Sequence, residues 1–202
     1  RACRRSVELA LDPLNRMTSL GILSLTLVER RETDEALQHL AEAIAQAVQF
    51  RIPQMHGLFL AFRAEAERLR GQLDTARTSA AAAQSTTHEA GYRYGEGWAQ
   101  RVAARIEHAA GDRAAALQHI ARALHTFDGM GAPYEAARTR LEQALWLEQD
   151  GQLAAALAGA EAADEGLSAL GLPLAAAARA CRARLQAGLS ARPAPAGPAA
   201  PR

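Results

Sequence analysis

Over most of its length this chain places a glycine every 20 residues, at Gly71, Gly91, Gly111, Gly131, Gly151 and Gly171. Glycine enters the left-handed conformation that ends a helix at no steric cost. Every proline before the C-terminal stretch sits on a second grid, at Pro13, Pro53, Pro133 and Pro173, with Arg93 in its one open slot. Proline suits the first helical turn, where its missing N–H has no partner to lose. Together the grids spell helix A, glycine turn, helix B, glycine turn, proline, with a period of 40 residues.

A third marker shares the period. Gly111 is followed by Ala116 and Ala123, Gly71 by Ala76 and Ala83, and Gly151 by Ala156 and Ala163. One period earlier Arg31 replaces the glycine, but Ala36 and Ala43 hold. Small residues three and four apart put one helix face close against a neighbour. The expected helices run over Pro13 to Arg30, Thr33 onward through Ala47, Pro53 to Arg70, Leu73 to Ala90, Tyr92 to Ala110, Arg113 to Met130, Pro133 to Asp150, Leu153 to Leu170 and Pro173 to Leu189. Thr33 with Asp34 and Glu35 is expected to cap the second of these. Each helix of about 17 residues is about 25 Å long. Equal helices joined by short turns lie antiparallel, and one pair cannot bury its apolar stripe alone, so the pairs must stack.

The predicted fold is therefore all-α, with a helical repeat domain over residues 1–189. Its repeats fall near 13–52, 53–92, 93–132 and 133–172, with a terminal helix at 173–189 and partial helices at both ends. Arg1 to Leu11 reads as the back half of a helix B, and the chain is expected to begin inside a longer protein. Residues 190–202, written SARPAPAGPAAPR, lack any periodic apolar residue and read as a disordered tail or linker.

Alanine makes up about a quarter of the chain, as closely packed helices favour, and the aromatic share is 4%. All 23 basic residues are arginine. With no lysine, phosphate-loop, Schiff-base and pyridoxal-anchoring chemistry are excluded. A formal charge of +1 gives no general attraction to nucleic acid or membrane. The apolar run from Leu20 to Val28 is too short and too interrupted to span a bilayer. Cys3 and Cys181 have no metal-like or disulfide-like spacing, which fits reduced thiols in a cytoplasmic protein. Cys3 lies 40 residues before Ala43 and is expected to be a small buried residue.

The sequence Gly111, Ala116, Ile120, Ala123 resembles the tetratricopeptide repeat, and Ala36-Leu40-Ala43, Ala76-Ala80-Ala83 and Ala156-Ala160-Ala163 repeat it. The resemblance covers Pro13 to Leu189 and implies a right-handed superhelical solenoid. The period of 40 exceeds that family's usual length of about 34, and the aromatic slot of helix A holds Leu20, Leu60, Gln100 and Arg140. A 40-residue period also fits HEAT-like pairs, but the paired alanines favour the tetratricopeptide class. The longer period, the alanine and arginine bias and LGLPLAAAARACRARL before the Pro-rich stretch resemble the helical-repeat segments of large bacterial ATP-dependent regulators. These include maltose-regulator-type activators ending in a LuxR-type helix-turn-helix, and relatives with cyclase or kinase domains. That resemblance implies a sensor or autoinhibitory arm, with ATP and DNA bound by other domains.

No residue set points to catalysis, a cofactor or a metal. His88-Glu89 opens like a metalloprotease helix, but Tyr92 stands where the second ligand belongs. His108, His119 and His125 have no ligand-like spacing, and Ser79, Ser85 and Ser168 lie in no nucleophile context. GYRYGEG, Gly91 to Gly97, follows no strand and reads as a loosened helix start. Glu65/Glu67 and Asp164/Glu165 read as solvated faces. What remains is an interaction module whose concave A-helix surface holds a protein, a peptide or a domain of the same polypeptide, or alternatively a groove that senses a small inducer. The candidate surface is the stripe Trp98, Arg101, Arg105 and His108, with Arg138 one repeat after Trp98. Arginine pairs bidentately with carboxylate and the indole adds apolar area, so an acidic partner is expected. Trp98 also aligns with Val102 and Ile106 at steps of four, which would place it in the core.

Overall fold

Ten helices make up the described part of the computed structural model, which covers residues 2–191. They are α1 (Ala2–Leu9), α2 (Pro13–Glu29), α3 (Thr33–Gln49), α4 (Pro53–Leu69), α5 (Leu73–Glu89), α6 (Arg93–Ala110), α7 (Arg113–Gly129), α8 (Pro133–Gln149), α9 (Leu153–Ala169) and α10 (Ala175–Ser190). The fold is all-α, and no strand occurs among the described residues. The proposed tail falls outside them apart from Ser190, which ends α10, and Ala191, its C-cap. Six helices end one residue before the expected boundary, and two starts differ as well. Tyr92 is the N-cap of α6 rather than its first residue, and α10 starts two residues after Pro173.

The turns explain the glycine grid. All six grid glycines have positive φ, and the two earlier slots, Arg31 and Arg51, hold the same left-handed backbone at φ of 62° and 56°. At Gly111 the glycine N–H donates to the His108 carbonyl and the Asp112 N–H to the Glu107 carbonyl. This paired pattern satisfies carbonyls that a helix end would otherwise orphan. The same two bonds close the turn at Arg31, through Val28 and Leu27. Asp112 also caps α7 by accepting from the Ala115 N–H at 2.9 Å. Thr33 does not cap α3; its N-cap is Glu32, which makes no side-chain capping bond.

The chain divides into two compact units, the first ending at Met130 and the second beginning at Gly131. In the first, consecutive helices pack in pairs, and the A helices α2, α4 and α6 also pack on one another. The repeated alanines Ala36, Ala43, Ala76, Ala83, Ala116 and Ala123 are all 0–1% exposed. The A helices sink further than the B helices. Ten residues of α4 and nine of α6 are buried, against four of α3, five of α5 and four of α7. Close approach needs glycine at several points: a Cβ on Gly21 would run into the Phe59 ring, and one on Gly97 would stand 2.6 Å from the Phe127 ring. Gly95 and Gly97 are therefore packing residues inside an unbroken α6, not a loosened helix start.

In the second unit α8 pairs with α9 and α9 with α10. Ala156 and Ala163 are fully buried, and α10 buries Ala175, Ala178, Cys181 and Leu185 along one face. Its arginines tie that face down. Arg184 makes a bidentate pair with Glu148 at 2.7 Å, and Arg182 reaches Asp164 at 2.8 Å. Asp164 is only 4% exposed, so the Asp164/Glu165 pair is not one solvated face. Only Glu165 fits that description.

Candidate interaction surface

The stripe expected to meet a partner divides in the structure. Trp98 is 2% exposed and Arg101 is 0% exposed, so both are interior. Phe62 meets the Trp98 ring edge-on at 5.1 Å between centroids. The Arg101 guanidinium lies 4.2 Å from the Trp98 ring centroid and 5.2 Å from that of Phe127. A weakly hydrated planar cation tolerates such an aromatic cage better than an ammonium would. Trp98 thus takes the core reading that its alignment with Val102 and Ile106 allowed. Arg105 and His108 are half-buried, as is Arg138, which belongs to the second unit.

Arg105 turns inward to Glu65. Its Nη1 donates to Glu65 Oε1 at 3.2 Å, while Arg68 holds the same carboxylate through two bonds of 2.8 Å. Burial pushes the Glu65 carboxyl up, but the Arg68 hydrogen bonds and the charges of Arg105, Arg68 and Arg101 outweigh it. The group is held below the usual carboxylate range. Glu67 is equally buried, and there burial wins over Ser79 and Arg63, so its carboxyl is pushed up. The expectation of a solvated Glu65/Glu67 face is overturned. Glu65 and Glu67, two residues apart, project to different sides of α4, and both sides are covered. One sequence signal marked the pair: Glu65 and Arg105 occupy the same repeat position 40 residues apart, with opposite charge.

An accessible surface lies elsewhere, between the B helices α5 and α7, with α6 as its floor. Two adjoining depressions of about 380 and 200 Å³ share Gln84 as a wall. The larger is lined by Gln84, Ser85 and His88 of α5, Glu96 and Gln100 of α6, and Arg122 and Thr126 of α7. The smaller opens over Ala80, Ala81 and Ala103, with Arg77, Glu107 and His119 at its edge. On α5 the lining residues Arg77, Ala81, Gln84 and His88 follow steps of four, three and four, one helical face. A 2.7 Å bond joins His119 Nδ1, at the edge of the smaller depression, to Gln100 Oε1 in the lining of the larger. Burial, aided by the charge of Arg122, pushes the His119 imidazole down. At the far end His88 Nδ1 bonds Glu96 at 3.0 Å with its side chain 85% exposed. None of these residues belonged to the expected stripe.

The remaining candidates behave as ordinary structure. Among the described residues no group of three His, Cys, Asp or Glu side chains is arranged to hold a metal ion. Cys181 is buried and its thiol pushed up by that burial, while Cys3 is only half-buried, its Sγ 3.7 Å from the Thr26 hydroxyl. No helix among the described residues is long and apolar enough to cross a membrane.

No family model and no curated protein matches this sequence. Among solved structures the chain is similar to that of BtubC (BKLC) from P. vanneervenii, with a TM-score of 0.65 and 17% identity. The match covers 100% of this chain and 95% of that one. At this identity the likeness establishes the all-helical, repeat-like fold and nothing finer.

Proposed function

We propose that this chain is a non-catalytic protein-interaction module, the regulatory or sensor repeat segment of a larger bacterial signalling or transcription-regulating protein of the cytoplasm. It holds a protein or peptide, a domain of the same polypeptide included, and leaves nucleotide and DNA chemistry to other segments. The observation that carries this reading is the unequal burial of the two helix types. The A helices α4 and α6 bury half or more of their residues and α2 seven of its 17, while the B helices keep about three-quarters of their residues outside the buried core and flank an open polar groove. A scaffold with one helix layer inside and one outside presents a broad surface at little cost to its core. The acidic-partner expectation moves with it. Arg101 and Arg105 are occupied in the interior, so exposed cations of the B layer inherit that role.

A small polar inducer is the alternative, favoured by the 380 Å³ depression, which is within the volume range of ligand sites. A two-hybrid screen of the full chain against fragments of a bacterial genome separates the two. The interaction reading expects discrete protein fragments whose binding tolerates Arg113→Glu but not charge reversal in the groove. A screen without partners, together with thermal stabilisation by a small metabolite, would replace it with the inducer reading.

A further inference from the structure

We infer that the groove between α5 and α7 is the binding site of the module, and that its ligand is an extended peptide carrying a carboxylate. This rests on the interaction reading above and names the surface and the chemistry.

The groove is a specific departure from the repeat. One period earlier the equivalent positions are closed: Arg63 crosses from α4 to donate to Ser79 at 3.1 Å, and Ile44 packs onto the cluster of Leu60, Ala61, Ala83 and Ala99. In the groove Ala103 stands where Arg63 would be, Gln84 where Ile44 would be, and Gln100 where Leu60 would be. Shortening one side chain opens the space, and the two amides make its walls polar. A core defect would be expected to lose volume alone; here apolar side chains are replaced by groups that both donate and accept hydrogen bonds.

That lining suits a peptide backbone. The floor from Glu96 to Glu107 rises about 16 Å along α6 at 1.5 Å per residue, enough for about five residues of extended chain. The charge is also selective. Arg122 is exposed on the groove wall and makes no ion pair among the described residues. By contrast Arg77, at the other end, is matched to Glu107 by two bonds of 2.9 Å. A carboxylate of the ligand would complete Arg122 as Glu107 completes Arg77.

The test selects dodecapeptides from a random displayed library on the full chain, then measures synthetic copies by fluorescence anisotropy. The expected peptides contain Asp or Glu, and their affinity falls at least tenfold for Arg122→Ala and for Ala103→Arg. Arg51→Gly removes the same charge elsewhere and should leave affinity unchanged. Ala103→Arg restores the side chain of the closed repeat and adds a positive charge. It weakens a ligand in the groove but strengthens diffuse attraction to an acidic peptide. Synthetic copies with a C-terminal amide lose affinity if the carboxylate is terminal and keep it if it is a side chain. Peptides that bind Ala103→Arg as well as the native chain overturn the groove and leave the interaction reading intact. A library that yields no binder counts against both.

Discussion

Two arginines occupy backbone positions that the rest of the chain gives to glycine. Arg31 and Arg51 hold φ near 60° and make no ion pair among the described residues that would favour an arginine there. The left-handed conformation costs an L-residue about 1–2 kcal/mol. Arg31→Gly or Arg51→Gly should therefore stabilise the protein by about 1 kcal/mol each, seen as a higher denaturant midpoint at unchanged slope. The neighbouring carboxylates Glu65 and Glu67 should respond oppositely to neutralisation. Glu65→Gln leaves Arg68 and Arg105 facing a neutral amide and should cost about 3 kcal/mol. Glu67→Gln removes a charge that burial disfavours, so the variant should be the more stable at neutral pH. Urea melts of the two variants check the sign of each. That two carboxylates on different sides of one helix meet opposite environments was hidden from the sequence, because Glu65 and Glu67 differ only in which arginines their neighbours bring.

At the scale of helices, the alanine spacing and the glycine grid were enough to find every element, since each records a contact that recurs in each period. Replacing Ala116 by leucine should destabilise the fold by about 1–3 kcal/mol through overpacking, because Ala116 is 1% exposed. Gly97→Ala should also destabilise, by up to about 2 kcal/mol, even though alanine favours helices, because its Cβ meets Phe127. Relief of that loss by Phe127→Leu would confirm the contact. The candidate site was less legible. Periodicity marks the face of a helix that meets one neighbour, but α4 and α6 are enclosed on several sides, so polar positions there need not reach water. The stripe on α6 was a real helical face; the spacing left Trp98 open between partner and core, and it did not reveal that Arg101 points inward. The groove was written in the sequence as differences between repeats, Ala103 against Arg63 and Gln84 against Ile44. Similarity between repeats gives the fold, and departure from it marks the site.

Over the whole molecule, charge is arranged more by pairing than by sign. Glu65, Glu107, Glu148, Glu35 and Asp12 are all held below their ordinary values by arginine or backbone partners. A depressed carboxyl adds stability that is complete above its unfolded value, 4.5 for the glutamates, and is lost as pH falls through the folded value. Stability should therefore be nearly level at neutral pH and decline below about pH 4.5 as these carboxylates take up protons. Glu67 opposes this weakly, since its raised value favours the folded state as protons bind. Melting temperatures in a pH series, with Glu65→Gln flattening the acid decline, would show it. The central claim is that in the first unit the A helices form an inner layer and the B helices an outer, ligand-facing one. Amide hydrogen exchange followed by mass spectrometry tests it most directly, because exchange reports the depth of each helix. The account predicts slowest exchange in α4 and α6, and faster exchange in α3, α5 and α7. Equal protection in the two sets, or slower exchange in α5 and α7, would contradict it.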